Sequence, residues 1–205
     1  MSERRDLYFS VEGGKTLELA LAHVAKRIAV IKKNNELAKE LGAQKYVVDI
    51  SKGTISGVMF DGAINSDFKK PNKRGVSYPK KGSDWERRLL DMDGYDARGY
   101  ELARALGVPT TISYKNETSH GNAVISHGFN SGVGLLYLSE GGPFALYIPD
   151  IAPIVAEYEA QGYSVGDDCR NFKPEFDGAR PILKEEWELS VARHKLLQAE
   201  KAVAA

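Results

Sequence analysis

The sequence has no excess of charge of either sign. Its 205 residues include 28 lysines and arginines and 28 aspartates and glutamates, so the formal net charge at pH 7 is zero. Dedicated nucleic-acid binders normally carry a basic excess, and acidic mimics of DNA carry the opposite one. The balance argues against both classes, and any electrostatic partner must be recognised by a local patch of charge.

Cysteine and long apolar runs are also scarce. Cys169 is the single cysteine, which excludes an intrachain disulfide and a multi-cysteine zinc site. No apolar run approaches the ~18 residues of a membrane helix, and the N-terminus lacks the apolar core of a signal peptide. We therefore expect a soluble, cytoplasmic protein that does not associate with membranes.

The order of patterns along the chain predicts the fold class. Strand-like runs cluster in the middle and helical periodicity lies at both ends, without the β-α-β alternation of a parallel doubly wound sheet. We predict a single α+β domain over residues 1–205. Its mostly antiparallel sheet of five or six strands is covered by N-terminal, central and C-terminal helices.

The first half of the chain is predicted to begin with a long helix over residues 14–42. A hairpin over residues 46–60 and a loop over residues 61–82 come next. A capping box at Ser83 then opens the central helix. The predicted helix over residues 14–42 has an apolar face formed by Leu17, Leu21, Val24, Ile28, Ile31 and Ala38.

The final helix is predicted to run from Pro181 to about Lys201. One stripe of it carries a tryptophan, and we expect this stripe to dock on the sheet or on a second subunit. The stripe consists of Leu183, Trp187, Val191, His194 and Leu197.

The stretch SHGNAVISHG, residues 119–128, contains two of the four histidines. On a strand their odd spacing sends His120 and His127 to opposite faces, and His120 shares its face with Ser126. This alternation favours a structural role for the histidines. The catalytic alternative has His120 as a general base assisted by Ser126.

The most localised charge lies in KKPNKRGVSYPKK, residues 69–81, which has six cations and no acidic residue. This composition suits contacts to a phosphate backbone with one aromatic ring for stacking. A solvated loop balanced by acids elsewhere is the alternative. The predicted partner-binding residues are Lys69, Lys70, Lys73, Arg74, Tyr78, Lys80 and Lys81.

Two other stretches each contain part of a known ion-binding motif. Asp91, Asp93 and Asp96 in DMDGYD lack the register and final glutamate of a calcium-binding EF-hand, and aspartates commonly recap an interrupted helix. GGKT at 13–16 resembles the end of a phosphate-binding loop, but Phe9 replaces the required earlier glycine. We predict no metal site, no cofactor, and a turn at GGKT.

The run from LELALAHVAKRIAVIKKN to SYPKKGSDWERRLL, a helix, a hairpin and a basic loop, resembles the uncharacterised accessory proteins of temperate enterobacterial phages. The resemblance implies an intracellular protein that acts in an infected cell or lysogen, on a host defence or replication factor.

The residues support three hypotheses about function. The leading one is a non-enzymatic binding module, possibly homodimeric, that contacts a host protein or nucleic acid through residues 69–81. The second is a small hydrolase or transferase with His120 as general base. The third is a protein that sequesters a ligand in a pocket at a subunit interface.

Overall fold

The computed structural model describes residues 6–49, 54–90, 99–118, 121–128, 133–137 and 144–204. The chain divides into two compact units. One comprises Met1–Leu21 and Gly99–Ala205, and the other comprises Ala22–Arg98. Compactness does not test whether either unit folds alone, so the single domain over residues 1–205 stays a prediction.

The described residues form nine strands and six helices. The strands are β1 (Asp6–Val11), β2 (Ala43–Asp49), β3 (Thr54–Phe60), β4 (Thr111–Thr118), β5 (Gly121–Gly128), β6 (Gly134–Tyr137), β7 (Phe144–Pro149), β8 (Ser164–Val165) and β9 (Ala179–Ile182). The helices are α1 (Gly14–Glu40), α2 (Asp84–Arg88), α3 (Tyr100–Ala105), α4 (Ala152–Ala160), α5 (Asp167–Arg170) and α6 (Lys184–Ala204).

The strands of the described residues pair antiparallel throughout and form three sheets. The largest has the order β6-β7-β1-β9, the second has the order β5-β4-β8, and the third is the β2-β3 hairpin. The predicted α+β class is confirmed. The largest sheet has four strands instead of the predicted five or six, because the strands are shared among three sheets.

The four-stranded sheet is built on its two central strands, β1 and β7. Phe9 and Val11 of β1 face Leu146 and Phe144 of β7, and all four side chains are buried. The apolar run FALYIP is buried almost continuously, as expected of a strand with a neighbour on each side. This pair of strands provides much of the core of the first unit.

The position of Pro181 differs from the prediction. It lies in β9, opposite Phe9, and the final helix begins only at Lys184. β9 is an edge strand, where a proline can replace a residue whose N–H would not be bonded to a neighbouring strand. The proline therefore marks the sheet edge and not the start of the helix.

The second unit has its own core, formed around the β2-β3 hairpin. Asn34 of α1 is fully buried, and its side chain donates to the carbonyl of Leu90 and accepts from the Leu90 N–H, both at 2.7 Å. These bonds satisfy the backbone just after α2. The buried apolar residues are Leu37, Ala38, Tyr46, Val58, Phe68 and Leu89.

The buried face of α1 coincides with the apolar face that periodicity indicates only at Ala38. Leu21 and Ile28 are exposed, whereas a neighbouring stripe with small and polar residues is buried. Small residues let the backbone of a helix come close to its neighbours, and a buried amide is tolerated when its hydrogen bonds are made. The buried stripe contains Thr16, Ala20, His23, Asn34, Leu37 and Ala38.

Candidate functional site

Residues 69–81, here called the basic loop, have a defined backbone path in the second unit. Ser77 forms two backbone hydrogen bonds with Val58 of β3, at 2.8 and 2.9 Å. The N–H of Lys69 donates to the carbonyl of Tyr78 at 2.8 Å, which ties the two arms of the loop together. The loop therefore extends the β2-β3 hairpin as an ordered ribbon.

The tip of the basic loop is organised by one asparagine. The side-chain oxygen of Asn72 accepts from the N–H groups of Arg74 and Val76, at 2.9 and 3.1 Å. Gly75 has φ of 75°, a left-handed conformation that favours glycine. Local bonding of this kind is typical of asparagine in turns, and it holds the backbone between the cations in place.

The basic loop is anchored to the core by buried side chains at its base. Phe68 is buried immediately before the loop, and its ring meets that of Phe60 edge to face with centroids 5.1 Å apart. Val76 and Ser77 are buried on the returning arm. Buried anchors on both arms support the exposed part of the loop.

Tyr78, the predicted stacking residue, is half-buried. A Cβ built on Gly57 of β3 would lie 3.1 Å from the Tyr78 ring, so the ring rests directly over the backbone of that glycine. Part of the ring is therefore covered by the protein itself. This geometry fixes the ring beside the cations.

The cations of the basic loop are exposed and lack carboxylate partners. In the part of the chain that the structure describes, none of the six forms an ion pair. The loop therefore presents positive charge that nearby acids do not neutralise. The six residues are Lys69, Lys70, Lys73, Arg74, Lys80 and Lys81.

Asp67 is the acidic residue closest in sequence to the basic loop, and within the described residues it forms no ion pair with the cations of the loop. Three acidic side chains around α2 are engaged with other partners. Asp84 pairs with Arg87 within α2, and Glu40 of α1 pairs with Arg88. The carboxylate of Glu86 accepts a backbone hydrogen bond at the start of α2. These contacts leave the positive charge of the loop available to an anion from outside the chain.

The capping box predicted at Ser83 is confirmed in its first half. The Ser83 hydroxyl accepts from the N–H of Glu86 at 3.3 Å. The Glu86 carboxylate, however, accepts from the N–H of Gly82 at 2.6 Å, because the Ser83 N–H already donates to the Lys80 carbonyl. The basic loop thus ends in a turn that is bonded to α2.

The candidate catalytic residues fall partly outside the described residues. Residues 119–120, and with them His120, are not among those described. Ser126 lies in β5, where its register partner in β4 is Ser113. The stretch of residues 119–128 is a strand between Gly121 and Gly128, as the alternation argument requires. The catalytic role of His120 and Ser126 stays a prediction.

The predicted absence of a metal site stays a prediction. Asp91, Asp93 and Asp96 lie outside the described residues. Among the residues that are described, no three His, Cys, Asp or Glu side chains come together as a metal would require.

Cys169 is buried in a cluster with Ile112, Ile151, Val155 and Val165. Burial, followed by the charge of Asp168 and a hydrogen bond with it, raises the pKa of the Cys169 thiol to about 11. The thiolate is the reactive form of cysteine, so this side chain is a poor nucleophile at neutral pH.

The GGKT stretch forms what we call the glycine turn, in which Gly13–Lys15 meet Asp177 and Gly178. The N–H of Lys15 donates to the Asp177 carboxylate at 2.9 Å. A Cβ on Gly178 would overlap the carbonyl of Gly13, so the two backbones touch. The chain's own carboxylate occupies the start of α1. The prediction of a separate turn at GGKT is wrong, because Gly14, Lys15 and Thr16 are the first residues of α1.

The first unit also contains a pocket of about 520 Å³ at the end of β1 where β9 stops. Its polar lining comes from Asp6, Tyr8, Asp150 and Lys184, and the remaining lining residues are apolar. Burial and the charge of Asp6 raise the pKa of Tyr8. No serine, histidine or cysteine is among the described residues that line the pocket.

The residues that organise the basic loop were missed in the sequence. The sequence does indicate a turn at the tip of the loop, because Asn72 followed by Gly75 is a turn pattern. Phe68 is an apolar residue in an otherwise polar stretch, which indicates an anchor only once its burial is known.

The chain matches no protein-family model, no curated protein and no solved structure. Within the described residues, no helix has both the length and the apolar character needed to cross a bilayer.

Proposed function

We propose that the protein is a nucleic-acid-binding module that contacts the phosphate backbone through the basic loop. The observation that carries the proposal is the set of six exposed cations without carboxylate partners among the described residues. Lysine and arginine side chains that neutralise phosphates release counterions, which supplies most of the free energy of non-specific binding.

The backbone order of the basic loop favours binding to nucleic acid in a second way. A loop that is already fixed by backbone hydrogen bonds loses less conformational entropy on binding than a free one. Asn72 is the one amide side chain of the loop, and its oxygen already bonds to the tip of the loop. We propose contacts that follow the phosphate backbone, which suit a loop of six cations.

The setting of this activity is also a proposal. A cytoplasmic location would give the basic loop access to nucleic acid. The resemblance to phage accessory proteins would place that nucleic acid, or a host protein that handles it, in an infected cell. The hydrolase with His120 and the ligand-sequestering protein are the alternatives.

The test compares two variants with equal loss of charge. In the loop variant, Lys69, Lys70, Lys73 and Arg74 are replaced by alanine. In the control variant, three exposed lysines and one exposed arginine of the first unit are replaced in the same way. The control positions are Lys15, Arg104, Lys115 and Lys173.

Fluorescence anisotropy with labelled duplex and single-stranded DNA and RNA measures the affinity at low salt. We expect the loop variant to lose at least about tenfold in affinity, because up to four phosphate contacts are removed, while the control variant stays within about twofold of the wild type. Equal losses in the two variants, or no binding by the wild type, would reject the proposal. In the second case, a pull-down from infected cells would test for a protein partner.

A further inference from the structure

Helix α6 has one face that packs on the four-stranded sheet. The Trp187 ring contacts the rings of Tyr8 and Tyr147, with centroid distances of 5.7 and 5.1 Å. Val191 and His194 follow on the same face and are half-buried. The predicted docking of the stripe is confirmed for these residues, whereas its two ends, Leu183 and Leu197, are 72% and 43% exposed.

The opposite face of α6 carries a second apolar stripe that the first unit does not cover. Leu189, Leu196 and Val203 are 52%, 61% and 90% exposed. At about 100° per residue, a position two residues after Trp187 or His194 lies on the far side of the helix. Every side chain from Lys195 to Val203 is exposed.

The spacing of this second stripe is that of a coiled coil. Leu189, Leu196 and Val203 are seven residues apart, and Ala192 and Ala199 follow the two leucines by three positions. Apolar residues alternating at three and four positions form the a and d seam along which two helices pair. Single exposed leucines are common on protein surfaces, but five small or apolar residues in this register are a pattern that suits a partner helix.

Charges beside the seam are complementary to those of a second, parallel copy. In a parallel pair, each residue just before an a position approaches the residue five places later in the other helix. Glu188, which forms an exposed ion pair with Lys184 of its own chain, would then also meet Arg193 of the other copy. Lys195 would meet Glu200 of the other copy. Each of these contacts occurs twice by symmetry, which gives four attractive pairs.

An antiparallel pair that overlaps the whole seam is disfavoured by the same residues. It would place Arg193 close to Arg193 of the other copy, and Lys195 close to Lys195 of the other copy. Like charges at these flanking positions oppose antiparallel pairing in this register.

From the seam and its flanking charges we infer that α6 pairs with α6 of a second copy of this chain in a short parallel coiled coil. A seam of two heptads buries less than the ~800 Å² per partner of a standard stable interface. We therefore expect a weak dimer that is not obligate.

Sedimentation equilibrium of the full chain across a range of concentrations tests the inference. Leu196→Glu places a charge in the seam and should raise the dissociation constant at least about tenfold. Leu197→Glu makes the same change one residue later and outside the seam, so it should leave dimerisation unchanged. Circular dichroism and tryptophan fluorescence, to which Trp85 and Trp187 both contribute, check that both variants keep the fold.

Charge reversal tests the pairing across the seam. Lys195→Glu should weaken the dimer, and adding Glu200→Lys to the same chain should restore it, because the pair is re-formed with opposite polarity.

Oxidation of a Val203→Cys variant should link two chains, since residues at equal a positions are adjacent in a parallel pair. A Gln198→Cys variant, on the other side of the helix, should not be linked.

A wild type that stays monomeric at all concentrations up to ~1 mM would overturn the inference. Three other results would also overturn it. They are equal effects of the substitutions at 196 and 197, no restoration by the double charge reversal, and equal cross-linking at 198 and 203.

Discussion

Two segments of this protein have compositions that suit the binding of an anion, and they differ in the source of that anion. In the glycine turn, the chain's own Asp177 accepts from the backbone at the start of α1. In the basic loop, six exposed cations have no carboxylate partner among the described residues. A segment whose anion comes from the same chain has a structural role. A segment that is held in place but whose cations lack an anion from the described chain is a candidate binding site.

Removing the anchor of the basic loop should have the largest effect. Phe68→Ala takes away a buried ring that contacts Phe60, and it should lower the free energy of unfolding by about 3–5 kcal/mol. Chemical denaturation measures the loss. Ile64→Ala, which removes an exposed apolar side chain from the same connection, should cost less than about 1 kcal/mol. Similar losses in both variants would show that Phe68 is not an anchor.

Filling the close approach in the glycine turn should have the next largest effect. Gly178→Ala adds a Cβ that overlaps the Gly13 carbonyl at a residue with φ of 75°, and it should cost about 2 kcal/mol or more. Gly162→Ala is the matched control, because Gly162 has φ of 84° but open space around its Cβ position. Thermal unfolding of the two variants separates overlap from backbone strain. If Gly162→Ala were as costly, the contact with Gly13 would contribute nothing.

Removing the internal anion should have the smallest of these effects. Asp177→Ala deletes an acceptor for the exposed N–H of Lys15, and it should cost about 1 kcal/mol, as the loss of a helix N-cap does. Asp177→Asn keeps an oxygen acceptor and should recover part of this loss in a denaturant titration. No loss in Asp177→Ala would mean that solvent satisfies this backbone group equally well.

The sequence pattern was sufficient to predict the helices and strands but not to predict which of their faces are buried. Periodicity located α1, and β-rich runs located the β2-β3 hairpin, because both signals are local. The buried face of α1 depends on Asn34 bonding to Leu90, a residue 56 positions later in the chain. No apolar pattern contains that information, because the buried side chain is polar and its partner is remote.

The candidate site could likewise be predicted only in part. Composition identified the basic loop, since six cations without an acid are visible in the sequence. Whether those cations pair with acids elsewhere depends on tertiary contacts such as that of Glu40 with Arg88. The exposed apolar face of α6 can likewise be recognised only once Trp187 is known to lie on the face that packs on the sheet.

The salt dependence of nucleic-acid binding tests the central claim most directly. For duplex DNA, the logarithm of the binding constant falls with the logarithm of salt concentration with a slope of about −0.9 per phosphate contact. The variant lacking Lys69, Lys70, Lys73 and Arg74 should have a slope shallower by up to about 3.6, from four contacts at that value. The control variant with the same loss of charge in the first unit should keep the wild-type slope. Identical slopes in all three proteins would contradict a phosphate-binding role for the basic loop.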